Sequence, residues 1–215
     1  PDETVGMLGC MNQFGIVLGM VLFSVIGSFT DFRILAVIGA IIDVVYCSFI
    51  WIVPDDTSDR SKHETVFQKK NVLNIFIGIL LMVFQQLCGI NAILDHLTEI
   101  MSNTGIYIDE NLQSALAQSS QLVSVFIASF NMDGIGRRRM WVISSVCLMI
   151  SQALYIICLN IKNAGWFQAS SLFLYLLSFG QGQGPIPWFI CHDLFPKGQR
   201  LQGQMLITFG NMIFS

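Results

Sequence analysis

The chain has 215 residues, 53% hydrophobic and 12% charged, with a formal net charge of −3 at pH 7. Soluble domains carry about a quarter charged residues, so this composition excludes a soluble domain and a basic nucleic-acid binder and implies an all-α integral membrane protein. The six cysteines (Cys10, Cys47, Cys88, Cys147, Cys158 and Cys191) fall inside apolar runs without metal-ligand spacing, so no metal or other cofactor is expected.

Apolar runs of spanning length, roughly 20 residues each, predict transmembrane helices over 6–29, 34–53, 72–96, 112–132, 140–160 and 167–192, with a seventh starting near 202. The first carries Asn12 and Gln13 among glycines suited to close helix packing. The loop at 54–71, PDDTSDRSKHETVFQKKN, holds eight charged residues and reads as a solvated linker or an amphipathic surface helix. The third span contains FQQLCGIN, with Gln85, Gln86 and Asn91, followed by Asp95 and His96 at its outer end. On a straight helix Gln85 and Gln86 point about 100° apart and Asn91 further round, so they converge only if Gly89 breaks the helix. The fourth span adds Gln118 and Gln121, and DGIGRRR follows it with Asp133, Arg137 and Arg138.

The sixth span contains GQGQGPIPWF, with Gln181, Gln183 and Trp188. Glycine and proline cost about 1 and 3 kcal/mol inside a helix. Gly182, Gly184, Pro185 and Pro187 are therefore expected to form a hinge, because broken helices at membrane depth are tolerated where they line a cavity or are buried in protein. Nine of the eleven basic residues lie in alternate loops, the pattern of cytoplasmic loops. Amides are both donors and acceptors, which matches a neutral polyhydroxyl solute, and Trp188 offers an apolar face to a sugar ring. The same residues have plainer roles open to them: amides hydrogen-bond between membrane helices, and tryptophan anchors at lipid interfaces.

GPIPWF with LFPKGQR after it resembles the signature of the sugar porter family, the facilitative glucose transporters of the major facilitator superfamily. QQLCGINA, DGIGRRR and MNQFGIVLG resemble further motifs of that family in the same order. The resemblance implies the major facilitator fold of twelve spans in two six-helix halves, with the seven spans here matching family spans 5 to 11. Residues 1–53 then end the N-terminal bundle, 54–71 form a shortened cytoplasmic loop, and 72–215 form the C-terminal bundle. With Pro1 first and an apolar run last, the chain is expected to be a piece whose partners include the missing helices, besides the lipid bilayer and a small-molecule sugar.

By the same resemblance, Gln13, Gln85, Gln86, Asn91, Gln121, Trp188 and Asn211 match sugar-contact positions. Gly89, Gly184, Pro185, Pro187, Asp133, Arg137, Arg138 and Asp193 match gating and hinge positions. The chain departs from the family at Val5, Asp95, His96, Gly180 and Met212, and in the PDDTSDR stretch. The implied function is facilitated diffusion of a hexose-type sugar by alternating access, in a multi-pass protein of the plasma membrane and without enzymatic chemistry. The alternatives are a transport-inactive sugar sensor or truncated homologue, and a proton-coupled symporter that uses Asp95 and His96.

Overall fold

The computed structural model describes residues 5–49, 66–68, 71–161 and 164–214, and every regular element among the described residues is helical. Most of the charged loop at 54–71 lies outside the described residues, as do the side chains of Val5 and Asp133. The first two predicted spans are α1 (Val5–Gly27) and α2 (Phe32–Phe49). A tight turn joins them, in which Thr30 Oγ1 donates to the Ile26 carbonyl at 2.8 Å.

The third predicted span is divided into three pieces: α3 (Val72–Leu87), α4 (Ile90–Asp95) and α5 (Leu97–Ser102). It therefore runs six residues past the expected end at 96. Two long helices follow, α6 (Glu110–Ile135) and α7 (Arg137–Leu159). Asp109 caps α6 by accepting from the Asn111 and Leu112 amides at 3.0 and 3.1 Å, satisfying donors that a helix start leaves free. The single span expected over 167–192 is divided into α8 (Gly165–Gln181), α9 (Ile186–Phe189) and α10 (Cys191–Leu194). A 3-10 turn at Lys197–Gln199 then leads into α11 (Arg200–Phe214).

Helix α6 is the hub, packing against α1 on one side and α8 on the other, while α7 covers α8 and α3 pairs with α11. Serines make the α6–α8 and α7–α8 seams close. Ser120 and Ser124 of α6 donate to the Phe173 and Leu177 carbonyls, and Ser144 of α7 donates to the Ser178 carbonyl at 2.7 Å. A Cβ on Gly182 would lie 2.8 Å from the Met140 carbonyl oxygen, and one on Gly180 would lie 2.8 Å from that of Gln121. Only glycine permits both approaches. Apolar packing fills the remainder, with Leu97, Met101, Leu148, Leu172, Tyr175 and Phe179 forming one buried cluster.

Helix α2 buries no residue. Its outward face presents Val44, Tyr46 and Val37, an apolar surface that water would penalise and hydrocarbon accepts. Among the described residues four stretches are long and apolar enough to cross a membrane: Gly9–Gly27, Phe32–Phe49, Val72–Asp95 and Arg137–Leu159. Helix α6 falls short of that apolarity because Gln113, Ser114, Gln118, Gln121 and Ser124 are turned inward, where polar groups belong in a membrane bundle. Helices α8 and α11, of 17 and 15 residues, are too short by themselves.

Candidate functional site

The break after α3 sets the geometry. Gly89 takes φ 83°, the left-handed region that glycine enters without Cβ strain, and α4 restarts at a new angle. Asn91 is thereby turned back onto Gln86, and its Nδ2 donates to Gln86 Oε1 at 2.8 Å. The Cys88 carbonyl at the break takes its partners from other helices, accepting from Gln152 Nε2 of α7 at 2.8 Å and from the Tyr175 hydroxyl of α8 at 3.0 Å.

The second break follows from the prolines. In a continuous helix the Gln183 carbonyl would accept from residue 187, but Pro187 has no N–H. The Gly184 carbonyl would accept from Trp188, whose N–H goes instead to Pro185 O at 3.2 Å. Both stranded carbonyls are taken up by one side chain: Gln85 Nε2 donates to Gln183 O and to Gly184 O at 2.9 Å each. Gln183 is held on its other side by α7, through its amide to Ser144 Oγ at 3.1 Å and its Nε2 to Ser145 Oγ at 2.8 Å.

Between the two breaks and α1 lies a cavity of about 190 Å³. Gln13 of α1, Gln85 and Gln86 of α3, Asn91 of α4, Gln121 of α6, Trp188 of α9 and Asn211 of α11 all line it. The seven residues singled out as sugar contacts thus meet at one place, from six helices. Sequence reasoning missed the apolar wall, formed by Ile16, Met20, Ile90, Leu94 and Phe179. In a chain this apolar nothing marks those five out.

The amides differ in how they are satisfied. Gln85, only 3% exposed, is fully engaged, and Asn211 Nδ2 reaches its Oε1 at 3.4 Å. Gln13 and Gln121, 8% and 2% exposed, have amide oxygens without a partner among the described residues, as does Gln183 away from the cavity. Buried polar groups are normally hydrogen-bonded, so two unpaired acceptors at one cavity call for a donor from outside the chain. Trp188 is half-buried and rests against the cluster of Val66, Met82, Phe195 and Ile207.

The residues expected at the gates sit apart from this cavity. Arg137 forms an ion pair with Asp193, and its guanidinium carbon lies 5.1 Å from the ring centroid of Phe189. Arg138 is exposed beside it. Gly184, Pro185 and Pro187 are buried at the second break. Asp95 and His96 are exposed at the outer end of α4, where His96 Nδ1 meets Glu99 Oε2 at 3.3 Å, and neither lines the cavity.

Residues 56–215 match the family described as "Sugar (and other) transporter", which covers most of the chain. The chain belongs to the sugar transporter family. Among the relatives of this family member is the facilitated trehalose transporter Tret1 of Bombyx mori, 31% identical over 160 residues, covering 71% of this chain and 32% of that one. The Tret1 of Apis mellifera ligustica is 31% identical over 137 residues, covering 61% of this chain and 27% of that protein. This sugar transporter family chain thus spans about a third or less of the length of these relatives.

Among solved structures, the proton:xylose symporter XylE bound to 6-bromo-6-deoxy-D-glucose matches with a TM-score of 0.86 at 19% identity, covering 99% of this chain and 55% of that one. The inward-open xylose transporter XylE from E. coli matches with a TM-score of 0.71 at 20% identity, covering 95% and 52%. The fold is therefore the all-helical major facilitator fold, and the family member is a multi-pass membrane protein of a transport family rather than an enzyme family.

Proposed function

We propose that this chain supplies most of the sugar site of a facilitative transporter that works by alternating access. The observation that carries the reading is the pair of buried, unpaired amide oxygens on Gln13 and Gln121 at the central cavity. Sugar hydroxyls are donors of the required kind, and Gln86, Asn91 and Asn211 add amides around them. A volume of about 190 Å³ is below the usual range for drug-sized ligands, roughly 300–1,000 Å³, and suits a single hexose ring. Trp188 would pack its indole on that ring.

In this reading α1 and α2 end one half of the transporter, while α3 to α11 make up the other. The rocking seam then runs between α1 and α6, with further helices completing the first half. The Arg137–Asp193 pair stands at the cytoplasmic end, and the plasma membrane is the expected location. Asp95 and His96 are exposed and do not line the cavity, which favours uniport over proton coupling. The relatives are named for trehalose and the structural neighbours for xylose, so neutral sugars are the substrates to try first.

The test is counterflow of labelled D-glucose and trehalose in proteoliposomes holding this chain together with the helices that complete the first half, with L-glucose as the stereochemical control. Saturable, stereoselective exchange without dependence on a pH gradient is expected. Exchange that treats D- and L-glucose alike would overturn the assignment.

A further inference from the structure

The two helix breaks hold each other. The break in the α3–α4 rod is gripped from α8, by the Tyr175 hydroxyl on the Cys88 carbonyl at 3.0 Å. The break in the α8–α9 rod is gripped from α3, by Gln85 Nε2 on the Gln183 and Gly184 carbonyls at 2.9 Å. Gln152 of α7 adds a second grip on the Cys88 carbonyl at 2.8 Å. Bending either rod alone would strand backbone carbonyls of one break or pull the clasping side chain off the other. Each stranded carbonyl would stay away from water, where a missing partner is costly.

We infer that the two breaks form one coupled hinge, with Tyr175 and Gln152 as positioning residues that act through the Cys88 carbonyl without touching the sugar. Neither residue lines the central cavity. Gln85 lines it, and joins the hinge to the site. Its amide group has two N–H donors, and both are already given to hinge carbonyls. A ligand oxygen that accepts from Gln85 must therefore displace Gln183 O or Gly184 O, and so loosen the α8–α9 break. A ligand hydroxyl that donates to Gln85 Oε1 can join the long Asn211 contact at 3.4 Å, since an amide oxygen has two lone pairs, and leaves the clasp shut. A ligand oxygen that accepts from Gln85 thus bears directly on the α8–α9 break and, through the coupled hinge, on the α3–α4 break, which is the differential interaction a ligand needs to shift a conformational equilibrium.

The experiment is hydrogen–deuterium exchange on the full chain in detergent or nanodiscs, first without sugar. Tyr175→Phe removes one oxygen. Gln152→Leu removes the second grip from a helix that does not form the α8–α9 break. Exchange at 88–92 is expected to be about two- to tenfold faster in each variant, as for one lost hydrogen bond, and exchange at 183–190 is expected to rise with it. A merely local packing role would leave 183–190 unmoved in Gln152→Leu, and that result overturns the inference. Should Tyr175→Phe fail to fold, Gln152→Leu decides alone, since Gln152 is only half-buried and borders a second cavity, shared with Ile93 of α4 and Tyr175 of α8, that leaves room for a leucine.

A last arm adds D-glucose or trehalose and rests on the sugar reading proposed above. Wild-type exchange is expected to change at both breaks together. A change at one break only counts against coupling. No change at either break, with the sugar-free coupling intact, counts against the sugar and leaves the hinge standing.

Discussion

Gln121 and Gln85 line the same cavity, yet their leucine variants are expected to move stability in opposite directions. The amide oxygen of Gln121 is buried and unpartnered in a side chain that is 2% exposed. A buried polar group in that state costs about 1–3 kcal/mol, and an apolar group of similar shape removes the penalty. Gln121→Leu therefore raises stability in the absence of sugar by about 1 kcal/mol, helped by the good helix propensity of leucine. Gln85→Leu does the reverse. It strands the Gln183 and Gly184 carbonyls, at about 1–3 kcal/mol for each. Both variants lose a hydrogen bond to the sugar, about 0.5–1.5 kcal/mol net. At 1.4 kcal/mol per tenfold this weakens binding by roughly two- to tenfold. The assay is thermal unfolding of the purified full chain with and without sugar, beside equilibrium binding of labelled D-glucose. If Gln121→Leu lowered the melting temperature as far as Gln85→Leu, the unpaired oxygen would have no energetic meaning. If neither variant weakened binding, the amides would not be sugar contacts.

Three further perturbations follow from the geometry. Gly182→Ala places a Cβ 2.8 Å from the Met140 carbonyl oxygen, so a loss of about 1–3 kcal/mol from overpacking is expected in the same melting assay. Gly89→Ala meets open space, but at φ 83° its Cβ costs about 1–2 kcal/mol, and Gly89→Asn is expected to cost less. Reversing Arg137 to Asp sets two carboxylates against each other and takes the cation off the Phe189 ring, so stability should fall in the same melting assay. The balance between inward- and outward-facing states, read by spin-label distances, is expected to shift. The swap Arg137→Asp with Asp193→Arg should restore it, whereas charge reversal at exposed Arg138 should leave it near the wild-type value.

The polar side of the site could be read from sequence because amides are conspicuous in apolar spans. Gln13, Gln85, Gln86, Asn91 and Gln121 had to be either contacts between helices or contacts to a ligand, and Gly89 marked the one place where the third span could turn Gln85, Gln86 and Asn91 together. Its φ of 83° is the reason a bare helical wheel would have dispersed them. The apolar wall of Ile16, Met20 and Leu94 was illegible for the opposite reason, since a leucine facing a cavity and one facing lipid look alike in a sequence. Gly180 illustrates a third limit. In the sequence it appears only as a departure from the family pattern, but in the fold a side chain there would run into the Gln121 backbone. The division of 167–192 into three helices was only half visible, because the prolines locate the break without saying which helix takes up the freed carbonyls.

The choice between amides as interhelical glue and amides as ligand contacts does not have to be made for Gln85. Its N–H groups stabilise a break that two prolines and two glycines would otherwise leave with bare carbonyls, and the same group faces the cavity. A transporter that used separate residues for the two tasks would bind its solute without altering the hinge, and a ligand with equal affinity for both states shifts nothing. Placing the donor of the hinge inside the site makes ligand and hinge compete for the same hydrogens. The competition is strongest where water is excluded, because there an acceptor displaced from Gln85 has no alternative partner. On the proposed reading, the costly Gly-Gln-Gly-Pro-Ile-Pro stretch and Gln85, which takes up its freed carbonyls, are two parts of one device.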